Sequence, residues 1–230
     1  TGAEHPKTYD FIRKVNKEFD LNLTCLRGRF NQKLGKGLEY DIVADSELKT
    51  DLKSFTGEIG KYGVPYIGGM HCTSRMKLLT FQKYCDNKYG KANYETWLGI
   101  RADEPSRLVG DKNYKAIKKN LGLDDSSIFD LFKAFTSNGS LELSRHFVRK
   151  EKFEDDIFIK LNSHLLKKRG EDNVRYLAEI DEYDKSEVLS LLKEQRFDLG
   201  IDEWLGNCVF CQKKANLKLA AAQHDEPELY

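Results

Sequence analysis

The sequence predicts an α/β protein, a parallel sheet flanked by helices and interrupted by a helical insertion over residues 106–171. Three observations predict this. Short β-branched and aromatic runs alternate with helical periodicity up to about residue 105. Strand signals then vanish between Ser106 and Gly170. Alternation resumes at Val174 in the order strand, crossover, strand, the connection that parallel strands require. The expected division is an α/β nucleotide-binding domain of residues 1–105 and 172–230, with the insertion at 106–171.

Each element has its own signal. Pro6 suits a first helical position, and Phe11, Ile12, Val15 and Phe19 recur at near-helical spacing behind it. Leu21, Leu23 and Cys25 alternate as a short strand does, and residues 40–44 make a second strand. A helix is expected over residues 47–59, then a glycine-rich loop over 57–69 that leads into Cys72. Met76, Leu79, Lys83 and Tyr84 place a helix over residues 73–89, and residues 94–100 read as a strand ending at Arg101. In the insertion, Ile128, Leu131, Phe132 and Phe135, then Phe147, Phe158, Leu161 and Leu165, carry helical spacing among many charges. Residues 174–180 form the next strand, Asp184 to Glu187 is a capping box opening a helix through Gln195, and the tail from Ala215 is helix-prone up to Pro227.

Composition excludes several classes. With 230 residues the chain can bury a core without disulfide staples. A net charge of +1 gives no general attraction to nucleic acid or to anionic membranes, so any polyanion contact has to be local. No apolar run is long enough to span a membrane, the N-terminus lacks signal-peptide character, and a cytoplasmic location is expected. Five cysteines, an odd number with one close pair, fit reduced thiols or metal ligands better than a secreted disulfide framework. The chain starts at Thr1 without an initiator Met, and residues upstream are expected to be missing.

The richest chemistry lies in Gly206-Asn207-Cys208-Val209-Phe210-Cys211-Gln212-Lys213-Lys214. Two cysteines at this spacing bind one metal, form a redox dithiol, or lie in a core; flanking glycine and lysines favour ligation. The available partners are His71, Cys72 and Cys85. On one continuous helix Cys85 lies 13 residues beyond Cys72, about 20 Å along the axis, so both cannot serve one compact centre. Cys72 opens the helix, where backbone N–H groups stabilise a thiolate, and is assigned to the cluster with Cys208 and Cys211; Cys85 goes to the core. His71 is a weak fourth ligand. Three thiolates with one open position suit an iron–sulfur cluster better than structural zinc.

Basic residues supply an anion site. Arg101 and Arg107 bracket Asp103-Glu104-Pro105 after a strand and either clamp phosphate or sulfate or form ion pairs within the loop. Arg75, Lys77, Lys213 and Lys214 stand next to the cysteines. Glu4, His5 and Thr8 read by themselves as helix capping. Lys112, Lys115, Lys118 and Lys119 share a helical face, which without interleaved aromatics reads first as a solvated face. Serine-hydrolase, zincin, P-loop ATPase and dinucleotide motifs are absent.

The segments Thr1 to Thr8, Cys72-Thr73-Ser74-Arg75-Met76-Lys77, Gly99-Ile100-Arg101 with Arg107, and Gly206 to Cys211 resemble, in this order, the phosphoadenosine phosphosulfate reductase family of the adenine nucleotide alpha hydrolase (PP-loop) superfamily. The resemblance covers roughly residues 1–105 and 172–214. It implies a Rossmann-like parallel sheet, an adenine nucleotide such as ATP at the strand ends, and sulfonucleotide reduction or sulfur or nucleotidyl transfer. It places nucleotide contacts at Gly2, Glu4, Arg75, Lys77, Arg101 and Arg107, and matches Cys72, Cys208 and Cys211 to three of four ligands of a four-iron cluster. The family's Ser-Gly-Gly-x-Asp-Ser loop and its C-terminal cysteine motif do not occur in this sequence.

Three functions follow as expectations. The first is a phosphoadenosine phosphosulfate reductase-like enzyme with its cluster beside the nucleotide. The second is an ATP-dependent sulfur transferase acting on nucleic acid, resembling the DNA phosphorothioation family. The third is a non-catalytic nucleotide-binding or interaction module. Expected partners are the adenine nucleotide, a nucleic acid under the second reading, a second copy of the chain and a thiol or sulfur-donor protein, with no membrane.

Overall fold

A computed structural model describes residues 1–33, 35–66, 71–137 and 155–229. Expectations for Phe147 and for residues 67–69 of the glycine-rich loop fall outside them, as does the side chain of Phe158. The described chain mixes helices with short strands. It divides into two compact units, Thr1–Lys91 with Gln195–Tyr230, and Ala92–Glu194. These boundaries differ from 105/106 and 171/172 because the strands at residues 96–98 and 174–176 pack with the helical segment between them.

The first unit opens with α1 (Pro6–Phe19), set by Pro6 at its start and by His5, whose Nδ1 accepts from the Lys7 N–H at 3.2 Å. β1 (Cys25–Phe30) begins where the sequence places the end of its first strand, since Leu21 and Leu23 remain exposed ahead of it. β2 (Leu38–Val43) pairs antiparallel with β1, from Cys25 opposite Val43 to Phe30 opposite Leu38. α2 (Lys53–Tyr62) starts later than periodicity suggests, after a left-handed Leu52. A run of π-helical turns, Thr73–Leu79, passes directly into α3 (Thr80–Tyr89), so the expected helix is continuous but underwound at its start.

In the second unit β3 (Thr96–Leu98) pairs parallel with β4 (Val174–Tyr176). Among the described residues, four α-helices lie between them in sequence: α4 (Pro105–Val109), α5 (Asp111–Leu121), α6 (Asp125–Ser137) and α7 (Asp155–Leu166). Their apolar faces build one core in which Leu108, Ile117, Ile128, Leu131, Phe132 and Leu161 are wholly buried. The capping box at Asp184 forms as expected: Asp184 Oδ1 accepts from Glu187 N at 2.8 Å, opening α8 (Lys185–Lys193). The chain then returns to the first unit and ends in α9 (Asn216–Asp225).

The extended parallel sheet is therefore corrected. The described strands form two separate two-stranded sheets, one antiparallel and one parallel. The physical reason is connection length: the short link between β1 and β2 returns the chain as a hairpin, whereas parallel pairing needs a long crossover like that between β3 and β4. Among the described residues no helix is long and apolar enough to cross a membrane.

Phe132 is fully buried, stacked on Phe129 and edge-on to Tyr176. Phe132→Ala is expected to cost about 3–5 kcal/mol in urea unfolding. Leu217→Ala, at a site 85% exposed, is expected to change stability by less than about 0.5 kcal/mol.

Candidate functional site

The site is built on the loop between residues 203 and 214. A short 3₁₀ turn, Glu203–Leu205, delivers Gly206, and Asn207 takes a left-handed φ of 58°, which asparagine tolerates better than most side chains. Consecutive turns follow, with Cys211 N bonded to Cys208 O at 3.1 Å and Lys214 N to Cys211 O at 2.9 Å. Val209 is buried against Leu205 and Ala222, so the loop has a hydrophobic foot between its two cysteines.

That foot holds the loop against the opening segment. Val209 N donates to Ala3 O at 3.0 Å, and Cys208 bridges to Glu4 in antiparallel fashion. Thr1 Oγ1 lies 3.6 Å from Cys208 Sγ and donates to Glu4 Oε1 at 2.6 Å. Burial pushes the Cys208 thiol above its usual range, with the Thr1 hydroxyl opposing it.

A cavity of about 360 Å³ opens beside this loop, and Cys72, Cys208 and Cys211 all line it. Thr73, Met76 and Lys77 continue the wall on the Cys72 side. Phe55 of α2 and Phe210 close part of it as an edge-on aromatic pair with centroids 5.3 Å apart. Lys213 and Lys214 complete the basic side. The three cysteines that the sequence grouped thus share one cavity, while Cys85 and Cys25 are buried in α3 and β1.

The other expected contacts separate. Lys77 lines the cavity, with its Nζ 3.7 Å from Glu4 Oε1. Arg75 does not: its guanidinium stacks 3.9 Å over the Tyr62 ring. The π turn explains the split, because i to i+5 bonding lets Cys72 and Thr73 share a side with Met76 and Lys77 and turns Arg75 off it. Gly2 is structural, at φ 79° with its carbonyl accepting from Leu52 N at 3.1 Å; an added Cβ would stand 2.9 Å from Asp51 Oδ1. Only glycine allows that approach without strain.

Glu4 is equally engaged, accepting from Tyr9 Oη at 2.7 Å and from Ala3 N at 3.2 Å as well as from Thr1. Burial pushes its carboxyl up, while the Thr1 and Tyr9 hydroxyls and the Lys77 amine pull it down and favour the ionised form. Arg101 and Arg107 belong to the second unit and bond within their own loop, Arg101 Nε to Asp103 at 2.8 Å and Arg107 Nη1 to Glu104 at 2.6 Å. That is the ion-paired alternative of the two the sequence leaves open. On α5, Lys118 pairs with Asp125, while Lys112, Lys115 and Lys119 are exposed.

Periodicity does not single out Glu58, a fully buried carboxyl on α2 between Phe55 and Tyr62. Burial raises its pKa, Arg75 and His71 oppose, and its Oε2 has no hydrogen-bond partner. The only signal for it is a charged residue at helical spacing with two aromatics. Phe55 is likewise a cavity residue that no motif marks.

Among the described residues, no three His, Cys, Asp or Glu side chains stand close enough to share a single metal ion. A tetrahedral zinc at about 2.3 Å from each sulfur demands such closeness. In a multi-iron cluster each thiolate binds a different iron, so the sulfurs stand further apart. The donor set of three thiols on one cavity, with basic groups beside them, fits the cluster by its chemistry.

No family model matches the chain, and no solved structure matches it. A similar protein is the uncharacterized nin region protein ORF290 of Escherichia phage lambda, 35% identical over 232 residues. The match takes in all of this chain and 59% of that protein.

The Glu4 network carries a pH signature. Its carboxyl is held below its usual range by the Thr1 and Tyr9 hydroxyls and Lys77, so its contribution to stability is present above the ordinary carboxylate pKa and is lost as pH falls below it. Glu4→Gln is expected to lower stability at pH 7 and to flatten the acid limb in urea titrations.

Proposed function

We propose that the chain belongs to a sulfur-handling enzyme similar to the phosphoadenosine phosphosulfate reductase family, with an iron–sulfur cluster held by Cys72, Cys208 and Cys211. The observation that carries this is that Cys72, Cys208 and Cys211 all line one cavity of about 360 Å³, from segments more than a hundred residues apart. Cys25 and Cys85, which the resemblance does not use, lie buried elsewhere in the same unit.

When bound, the cluster supplies redox-active, positively charged iron at the cavity wall. The chain's own groups then have distinct tasks. Lys77 and Lys213 neutralise phosphate or sulfate oxygens of an adenine nucleotide, because both line the cavity and carry exposed ammonium groups. Phe55 and Phe210 keep water from one side of the space. The Thr1 hydroxyl beside Cys208 Sγ orients that sulfur and is oriented in turn by Glu4. The activity of the full-length protein is part of this proposal, since the chain spans 59% of its lambda relative.

Anaerobically purified protein is expected to be brown, with iron and acid-labile sulfide in similar amounts. Cys72→Ser, Cys208→Ser and Cys211→Ser are each expected to lower iron content several-fold, and Cys85→Ser to leave it unchanged. Colourless protein with tightly bound zinc, or iron that survives all three substitutions, would sink the reading.

A further inference from the structure

The cysteine loop contains a cation whose position differs from that of every other lysine on the cavity. Lys213 is exposed, and Lys77 reaches the wall from a half-exposed position. Lys214 turns inward: its Nζ donates to Val209 O at 3.0 Å and to Trp204 O. An ammonium is ordinarily surrounded by water, and this half-buried one also donates to two main-chain carbonyls of its own loop.

Those carbonyls come from the residues that frame the cysteines. Trp204 lies in the turn that leads into the loop, and Val209 is its hydrophobic foot, held on the other side by Ala3. The backbone N–H of Lys214 meanwhile bonds Cys211 O. One residue thus ties the start, the middle and the second cysteine of the loop together. Burial lowers its pKa and the neighbouring Cys211 and Cys208 oppose that shift, and Lys214 lines the cavity with them.

We propose that Lys214 is the positioning residue of the thiolate centre, a half-buried ammonium tied to two loop carbonyls that sets the placement of Cys208 and Cys211 and offsets the negative charge their ligation brings. The inference rests on the cluster reading above. Groups behind the ligands that fix them and tune their charge typically change metal affinity 10- to 100-fold when lost. Positive charge near a cluster also favours its reduced form, which carries the extra electron.

Lys214→Gln keeps N–H donors for the two carbonyls and removes the charge; Lys214→Arg keeps both; Lys214→Met keeps neither. Each full-length chain is reconstituted anaerobically with ferrous iron and sulfide, then iron affinity, visible absorption and midpoint potential are read. Thermal midpoints of the iron-free chains report bracing of the loop alone. The expected result is an affinity loss of about tenfold and a lower potential for Lys214→Gln and Lys214→Met, with Lys214→Arg close to the parent. If the parent takes up iron and Lys214→Gln matches it in affinity and potential, the role of Lys214 is overturned while the cluster reading stands. If the parent takes up no iron, both fall.

Discussion

The structure of the first unit depends on the seating of the cysteine loop against the opening segment. One backbone bond from Val209 to Ala3, one bridge between Cys208 and Glu4 and the burial of Val209 bring together residues about two hundred positions apart. Closing so long a loop carries an entropic cost that grows only slowly with length, so a small apolar foot and a few hydrogen bonds offset it. Without that seating Cys208 and Cys211 would not face the wall that carries Cys72.

Charge in this region is arranged by pairing rather than by sign alone. Glu4 collects hydroxyl, amide and ammonium donors and remains ionised despite burial. Lys77 is partly committed to it, Lys214 is committed to main-chain carbonyls, and Lys213 is left towards solvent. A chain with a net charge of +1 thereby keeps a locally basic cavity. Glu58 is the exception, a buried carboxyl with an unsatisfied oxygen close to the turn that carries Arg75.

The second unit follows other rules. Its described core is aliphatic and aromatic, drawn from helices between two parallel strands, and Arg101 and Arg107 find carboxylates within three positions while Arg169 and Arg175 reach Glu179 and Glu95 further off. Arg101 and Arg107 looked like a clamp because they flank a loop after a strand. That pattern also describes a self-paired turn, and local carboxylates reach a guanidinium before any ligand does.

Local order was legible in the sequence. Proline at the start of α1, the capping box at Asp184 and the 3.6-residue spacing of the helical core residues act over a few neighbours, and the elements form where those signals lie. So was the separation of Cys72 from Cys85, because thirteen residues along a helical segment set them well apart whichever helical form it takes. Sheet pairing, the π turn that sends Lys77 to the cavity and Arg75 to Tyr62, and the inward turn of Lys214 were decided only in three dimensions. Each depends on which distant backbone or ring meets the segment, and short-range periodicity carries no record of that partner.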